Sequence, residues 1–124
     1  LAKDREVLKI PYLHGKWYNF FIDESRLYRS ILSDYKRGKR EKMEYYLGKS
    51  PDEVYQEKPL DLKILKQDLD FYMESDPELI SLEERLSTQK LKVEMIESFI
   101  KSLNNRGYNI KCAIDFLKFK NGVT

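Results

Sequence analysis

Apolar residues recur at helical spacing through the last third of the chain. From residue 79 they alternate in steps of three and four through four heptads, in a seam made of Leu79, Leu82, Leu86, Gln89, Val93, Ile96, Ile100 and Leu103. This spacing is typical of a helix that packs along one side against another helix. A second stripe on the same helix, Leu91, Met95 and Phe99, predicts a further contact surface and favours self-association.

Weaker helical patterns cover residues 11–49. Pro11 suits the first turn of a helix, and the aromatic-rich stretch around Trp17 is expected to pack in the core. Gly38 interrupts this apolar spacing. Glycine in a helix interior also lowers the stability of the helix by about 1 kcal/mol relative to alanine. Gly48 is expected to end the helix.

The remaining boundaries follow from capping residues and breakers. Ser50 to Glu53 reads as a capping box for a short helix that Pro59 ends, and Asp76 is predicted to cap the heptad helix. Gly107 is predicted to end that helix, and Asn109 to cap a C-terminal one. No alternation of strands and turns competes with these helical patterns. We therefore predict an all-α fold, a small helical protomer with a long heptad-patterned helix and a C-terminal helix.

The segment 35–49 is the most distinctive part of the chain. Six of its fifteen residues are basic, two are acidic and three are tyrosine. One helical face carries Tyr35, Lys39, Lys42 and Tyr46, and rings alternating with ammonium groups suit single-stranded nucleic acid, whose bases stack and whose phosphates pair with cations. Another face carries a basic stripe that spans an arc of roughly 100°, made of Arg26, Arg29, Lys36, Arg37 and Arg40.

Charge is segregated along the 124 residues, although the net charge is only +2. Residues 26–49 carry eight basic and three acidic groups, whereas residues 50–90 carry five basic and eleven acidic groups. This separation favours an anionic partner at one surface and either a basic partner or docking of the chain on itself at another. The single cysteine excludes an internal disulfide, and no apolar run is long enough to span a membrane, so a cytosolic protein is expected.

No catalytic or cofactor motif is present, and no metal site is predicted. The acidic residues Asp68, Asp70, Glu74, Asp76 and Glu78 are expected to form a solvated surface rather than the metal site of a nuclease. His14 has no partner at metal-ligand spacing and is expected to be partly buried or interfacial, while Cys112 is expected to be a small buried hydrophobe. Two alternatives stay open: a coiled-coil adaptor without DNA binding, and a metal-dependent nuclease.

The order of several motifs resembles the UvsY family, the recombination mediators of T4-type bacteriophages. The first is the pair Lys16-Trp17, followed after a helical stretch by Arg40-Glu41-Lys42-Met43-Glu44-Tyr45-Tyr46 with Gly48 close behind. The end is similar as well, with Ile100-Lys101 and then Arg106-Gly107-Tyr108-Asn109-Ile110-Lys111. The resemblance covers roughly residues 11–122 and is thin across 50–78. The family's two basic residues can be Lys and then Arg, an order that Arg40 and Lys42 reverse.

The resemblance implies a non-enzymatic protein that binds single-stranded DNA and helps to load a RecA-like recombinase onto DNA covered by the phage's single-stranded-DNA-binding protein. It also implies a ring-like homo-oligomer, with six or seven subunits expected, in the cytoplasm of the infected bacterial host. The residues expected to contact DNA are Lys36, Arg37, Lys39, Arg40, Lys42, Tyr45, Tyr46 and Lys49. Those expected to form the assembly are Val93, Ile96, Phe99, Ile100, Leu103, Ile110, Ile114 and Leu117. One domain spans residues 1–124, with DNA-binding helices in 11–49 and core and oligomerisation helices in 77–122.

Overall fold

The described part of the chain contains four α-helices and one short 3-10 turn. The computed structural model describes the backbone of residues 2–122 and the side chains of Lys9 and of residues 11–122. The helices are α1 (Ala2–Tyr46), α2 (Asp52–Glu57), α3 (Leu69–Glu74) and α4 (Pro77–Lys120), and the 3-10 turn Lys66–Asp68 precedes α3. No strand occurs among the described residues, so the all-α prediction is confirmed.

Helix α1 is longer than its sequence signals indicate. It begins at Ala2, so the prediction that Pro11 lies in the first turn is wrong, and Gly38 does not interrupt it. Local helix propensity is a weak influence that packing can override. Gly48 does end the helix, with a backbone φ of 77°. The amides of Gly48 and Lys49 donate to the carbonyls of Tyr45 and Glu44, the two bonds of a Schellman motif.

Helix α4 continues through Gly107, so the prediction of a separate C-terminal helix capped by Asn109 is wrong. The reason lies in the seam, because Gly107 continues its alternation of three and four toward Ile110, Ile114 and Leu117. One glycine costs about 1 kcal/mol, which is too little to break a helix whose apolar side remains continuous. Every seam residue from 79 to 103 is buried or half-buried, as the heptad pattern predicts.

The segment between the two long helices follows its capping signals only in part. Asp76 caps α4 as predicted, since its Oδ1 accepts from the amides of Glu78 and Leu79 at 2.9 and 3.0 Å. The capping box at Ser50 is wrong: Pro51 occupies the N-cap of α2, where no side chain makes a capping hydrogen bond. Helix α2 ends at Glu57, two residues before Pro59.

The described chain forms two compact units, one from residues 1–26 and 91–124 and the other from residues 27–90. In the first, the Trp17 ring lies 4.6 Å from that of Phe99, and Lys92 pairs with Glu24 at 3.0 Å. These contacts place the α1 and α4 segments of the first unit antiparallel. Ile96, Ile100 and Leu103 are buried there, and Trp17 serves as a packing residue as predicted.

The second unit packs residues 27–46 of α1 against α3 and the first turns of α4. Its buried apolar residues are Ile31, Met73 and Leu79. Gly38 allows a close approach, because a Cβ added there would lie 2.9 Å from Cδ1 of Leu82. The structure therefore explains Gly38 by helix packing and not by a helix break.

Candidate nucleic-acid interface

The basic stripe occupies the side of α1 that faces solvent. Within the second unit it consists of Arg29, Lys36, Arg37 and Arg40, and all four side chains are exposed. At 100° per residue, the centre of this group lies roughly 180° around the helix from the buried Ile31. The same α1 segment therefore packs with one side and presents cations with the other.

Local ion pairs leave the stripe accessible to an anionic ligand. Arg37 pairs with Asp34 and Arg40 with Glu44 at 3.2 Å, while the two arginine side chains remain 72% and 79% exposed. Exposed pairs at this helical spacing contribute only about 0.3–0.5 kcal/mol, so a phosphate can replace either carboxylate. Lys36 makes no ion pair with any described residue. An extended polyanion can thus meet several cations along one helix face.

Lys39 and Lys49 lie outside this row. Lys39 is exposed but lines a recess with Tyr35 and three carboxylates, those of Asp70, Glu74 and Glu83. The nearby carboxylates offset its charge, which weakens its attraction for phosphate. Lys49 is exposed in the turn after Gly48. Their contact with DNA stays a prediction.

Lys42 lies within a charged cluster inside the second unit. Its side chain is only 18% exposed, and its Nζ lies 3.3 Å from Oδ2 of Asp76 and 3.0 Å from Oε2 of Glu78. Glu78 also pairs with Lys58 at 2.6 Å. Burial alone lowers the pKa of Lys42, but hydrogen bonds to Glu78 and Asp76 outweigh it and raise that pKa. The structure thus engages Lys42 with carboxylates of the same chain.

Asp76 is the centre of this cluster, and the prediction that it belongs to a solvated surface is wrong. Its side chain is 3% exposed, because the cap of α4 is covered by the end of α1. Burial alone raises the pKa of Asp76. Hydrogen bonds from Tyr46, the Leu79 amide and Lys42 outweigh burial and lower it. The other four carboxylates of that set are exposed, as predicted.

Both tyrosines that end the motif are also engaged. The Tyr46 hydroxyl donates to Oδ2 of Asp76 at 2.6 Å, and burial together with this bond raises the pKa of Tyr46. The Tyr45 ring stacks on that of Tyr55 with centroids 5.4 Å apart, and its hydroxyl donates to the Lys58 carbonyl. Both tyrosine rings therefore pack against other rings of the same chain, Tyr45 against Tyr55 and Tyr46 against Tyr72. Stacking of either ring on a base stays a prediction.

These contacts identify structural residues that the sequence interpretation missed. Tyr55 donates to the Tyr45 carbonyl at 2.8 Å and accepts from the amide of Ser50 at 3.2 Å. Lys58 and Glu78 complete the charged cluster. Charge segregation was the available signal, because a basic segment followed by an acidic one can dock on itself. Pairing Lys42 with Asp76 requires a contact across 34 positions, which periodicity does not provide.

Most residues predicted to form the assembly are used within the chain. Ile96, Ile100 and Leu103 are buried, and Val93, Ile110 and Ile114 are half-buried. Phe99 packs on Trp17 yet stays partly exposed. The most exposed large apolar side chains in the described part of α4 are those of Leu91, Met95, Tyr108, Phe116, Leu117 and Phe119. The role of the predicted residues in assembly remains a prediction.

The structure also places the other residues that were considered as candidate metal ligands or reactive groups. Among the described residues, no group of three or more His, Cys, Asp or Glu side chains is arranged to hold a metal ion. His14 is half-buried and stacks on Tyr18, with ring centroids 6.1 Å apart. Cys112 is exposed, so its prediction as a buried hydrophobe is wrong; it lies off the α4 seam that continues through Ile110 and Ile114. No helix in the described part of the chain is long and apolar enough to cross a membrane.

These features define the class: a small helical protein that presents a row of cations on one exposed helix face. The family model described as "Recombination, repair and ssDNA binding protein UvsY" matches residues 2–123, and the chain belongs to this family. The family is thus one of recombination, repair and single-stranded-DNA-binding proteins. It is not a known enzyme family. Comparisons with curated proteins and with solved structures gave no match.

Proposed function

We propose that the protein is a recombination mediator that binds single-stranded DNA along the basic stripe of α1. In this role it promotes loading of a RecA-like recombinase onto DNA covered by single-stranded-DNA-binding protein, in the cytoplasm of the infected bacterial host. The observation that supports the proposal is the row Arg29, Lys36, Arg37 and Arg40, exposed on the side of α1 opposite its packed face, in a member of this family.

Assembly strengthens such a surface. We propose a ring-like homo-oligomer of six or seven subunits, supported by the exposed apolar residues Leu91, Met95 and Phe99 on α4. Repetition of one weak patch around a ring raises its affinity for a long strand by avidity, by about 10²–10⁴-fold where the geometry permits simultaneous contact. Backbone contacts through cations give binding that tolerates sequence and depends strongly on salt.

A salt titration tests the DNA-binding site. Binding to an unstructured single-stranded oligonucleotide is measured for the wild type and for Lys36→Gln/Arg40→Gln. For single strands each lost phosphate contact reduces the slope of log affinity against log salt by about 0.7, so the double variant is expected to lose about 1.4 for each subunit that contacts the strand. A charge-matched control, Lys63→Gln/Lys90→Gln, replaces two exposed lysines outside the stripe and is expected to keep most of the slope.

The outcomes separate the candidate functions. All samples are first shown to have the same oligomer mass, because avidity depends on assembly. Equal slopes for the stripe variant and the control would remove the stripe as the contact. Absence of wild-type binding at moderate salt would favour a coiled-coil adaptor. Cleavage of the oligonucleotide on addition of Mg²⁺ or Mn²⁺ would favour a nuclease instead.

Recombinase loading is tested separately. Assembly of a RecA-like recombinase is followed on an oligonucleotide already covered with single-stranded-DNA-binding protein. The wild type is expected to shorten the delay before filament growth, and Lys36→Gln/Arg40→Gln is expected to do so less. Equal delays with and without the wild-type protein would contradict the mediator role even if DNA binding is confirmed.

A further inference from the structure

The charged cluster around Lys42 joins three separate parts of the second unit. Lys42 and Tyr46 come from the last two turns of α1, Asp76 and Glu78 from the N-terminus of α4, and Lys58 from the residue after α2. Tyr45 adds a link through its hydrogen bond to the Lys58 carbonyl. These contacts hold the end of α1 in place by side chains that lie far apart in the sequence.

A DNA phosphate is poorly suited to take the place of these partners. The two lysines and two carboxylates of the cluster sum to zero charge, so the group offers a phosphate no net attraction. A phosphate near Lys42 Nζ would lie beside the carboxylates of both Asp76 and Glu78. Removing Lys42 from Asp76 would also leave a carboxylate that is 3% exposed without its cation.

The stripe residue Arg40 lies two positions from Lys42, and its side chain points to solvent with 79% exposure. Gly38 lies just before this segment, so the terminal turns of α1 follow a residue of low helix propensity. Helix ends fray unless they are held by other contacts. The cluster around Lys42 therefore holds the helical turns that carry Arg40.

We propose that Lys42 is a positioning residue for DNA binding: it fixes the end of α1 to the cap of α4 so that neighbouring basic residues, Arg40 above all, are held in register for the phosphate backbone. This inference rests on the proposed function. It assigns different roles to the two basic residues of the motif, with Arg40 contacting phosphate and Lys42 contacting carboxylates of its own chain.

The test compares three single variants and one double variant at a temperature well below the unfolding transition. Lys42→Met is expected to lower Tm and to weaken DNA binding about three- to tenfold, the size expected when a contact that only orients a site is lost, with an unchanged salt slope. Arg40→Gln is the charge-matched control: its salt slope is expected to fall by about 0.7 for each subunit that contacts the strand, with Tm unchanged. Lys42→Arg is expected to retain both Tm and affinity.

Rescue distinguishes positioning from a contact with DNA. Lys42→Met/Asp76→Asn has the net charge of the wild type and no longer buries an unpaired carboxylate, so both Tm and affinity are expected to recover toward wild-type values. A Lys42→Met slope that falls by about 0.7 for each subunit that contacts the strand, with unchanged Tm, would overturn the positioning role and leave the proposed function intact. A lower Tm with wild-type affinity in the folded protein would show a purely structural role and also overturn it. Absence of wild-type DNA binding would remove the proposed function and the positioning role together.

Discussion

Replacement of Asp76 by alanine is the sharpest test of how the second unit is held together. The carboxylate makes four contacts at once. Its Oδ1 accepts from the amides of Glu78 and Leu79, and its Oδ2 accepts from the Tyr46 hydroxyl and lies 3.3 Å from Lys42 Nζ. Because the side chain is 3% exposed, water does not take over these contacts in the folded protein.

The magnitude follows from the individual contacts. Loss of an N-cap costs about 1 kcal/mol, and loss of a hydrogen bond to a charged group costs about 1.5–3 kcal/mol. Lys42 keeps its contact with Glu78, so its charge is not left unpaired. We expect Asp76→Ala to lower the free energy of unfolding by about 3 kcal/mol. For a chain of this size that corresponds to a decrease in Tm of roughly 10 °C.

The measurement is urea unfolding followed by far-ultraviolet circular dichroism, at matched protein concentrations because assembly shifts apparent stability. Asp76→Asn retains the capping oxygen and is expected to lose about half as much stability as Asp76→Ala. Asp70→Ala removes the same charge from an exposed position on α3 and is expected to stay within about 0.5 kcal/mol of the wild type. If Asp76→Ala and Asp70→Ala have equal stability, the inferred role of the cluster is wrong.

Three further predictions concern glycine positions and pH. Gly48→Ala is expected to destabilise by about 1 kcal/mol in urea unfolding, because the φ of 77° is unfavourable for a residue with a Cβ; equal stability would contradict this. Gly15→Ala is expected to stabilise the protein by about 0.4–1 kcal/mol, because the added Cβ would meet no atom within 4 Å. Gly38→Ala is expected to gain less stability, because its Cβ would displace a leucine methyl of α4. Thermal unfolding compares the two variants, and a larger gain at Gly38 would refute the packing explanation. Hydrogen bonds lower the pKa values of the Asp76 and Glu78 carboxyl groups below their ordinary values of 3.8 and 4.5. The two carboxylates therefore stabilise the fold above these ordinary values, and this stabilisation is lost as pH falls through the folded-state pKa values. Tm measured from pH 6 to pH 2 is expected to fall less steeply in Asp76→Asn/Glu78→Gln than in the wild type.

The helical class and the packed side of α4 could be predicted from the sequence. Apolar spacing of three and four is a local property of the chain, and it places one side of a helix against its neighbour whatever the partner is. The same spacing continues through Gly107, so the full length of α4 was also encoded. The prediction of a helix end there is wrong, because the low helix propensity of one glycine is a weaker influence than the packing of the continuous seam.

The basic stripe could likewise be read from the sequence, because residues 29, 36, 37 and 40 share a helix face by arithmetic alone. Which side of α1 faces solvent depended on the packing of Ile31 and Gly38, and the structure places the stripe opposite to them. The face carrying Lys42 and Tyr46 suits single-stranded nucleic acid by its residue types, and contact of these two residues with DNA stays a prediction. In the structure both side chains turn toward Asp76.

The sequence by itself thus determined the helical class, the cap at Asp76, the stop at Gly48 and the alignment of the basic stripe on one helix face. Each of these depends on residues within a few positions of one another, for which helical geometry fixes the neighbours. The tertiary structure alone decided the partners of Lys42, Tyr45 and Tyr46. These contacts join residues 10 to 36 positions apart, and such pairs are selected by the packing of whole helices and by the free-energy cost of leaving a buried charge unpaired.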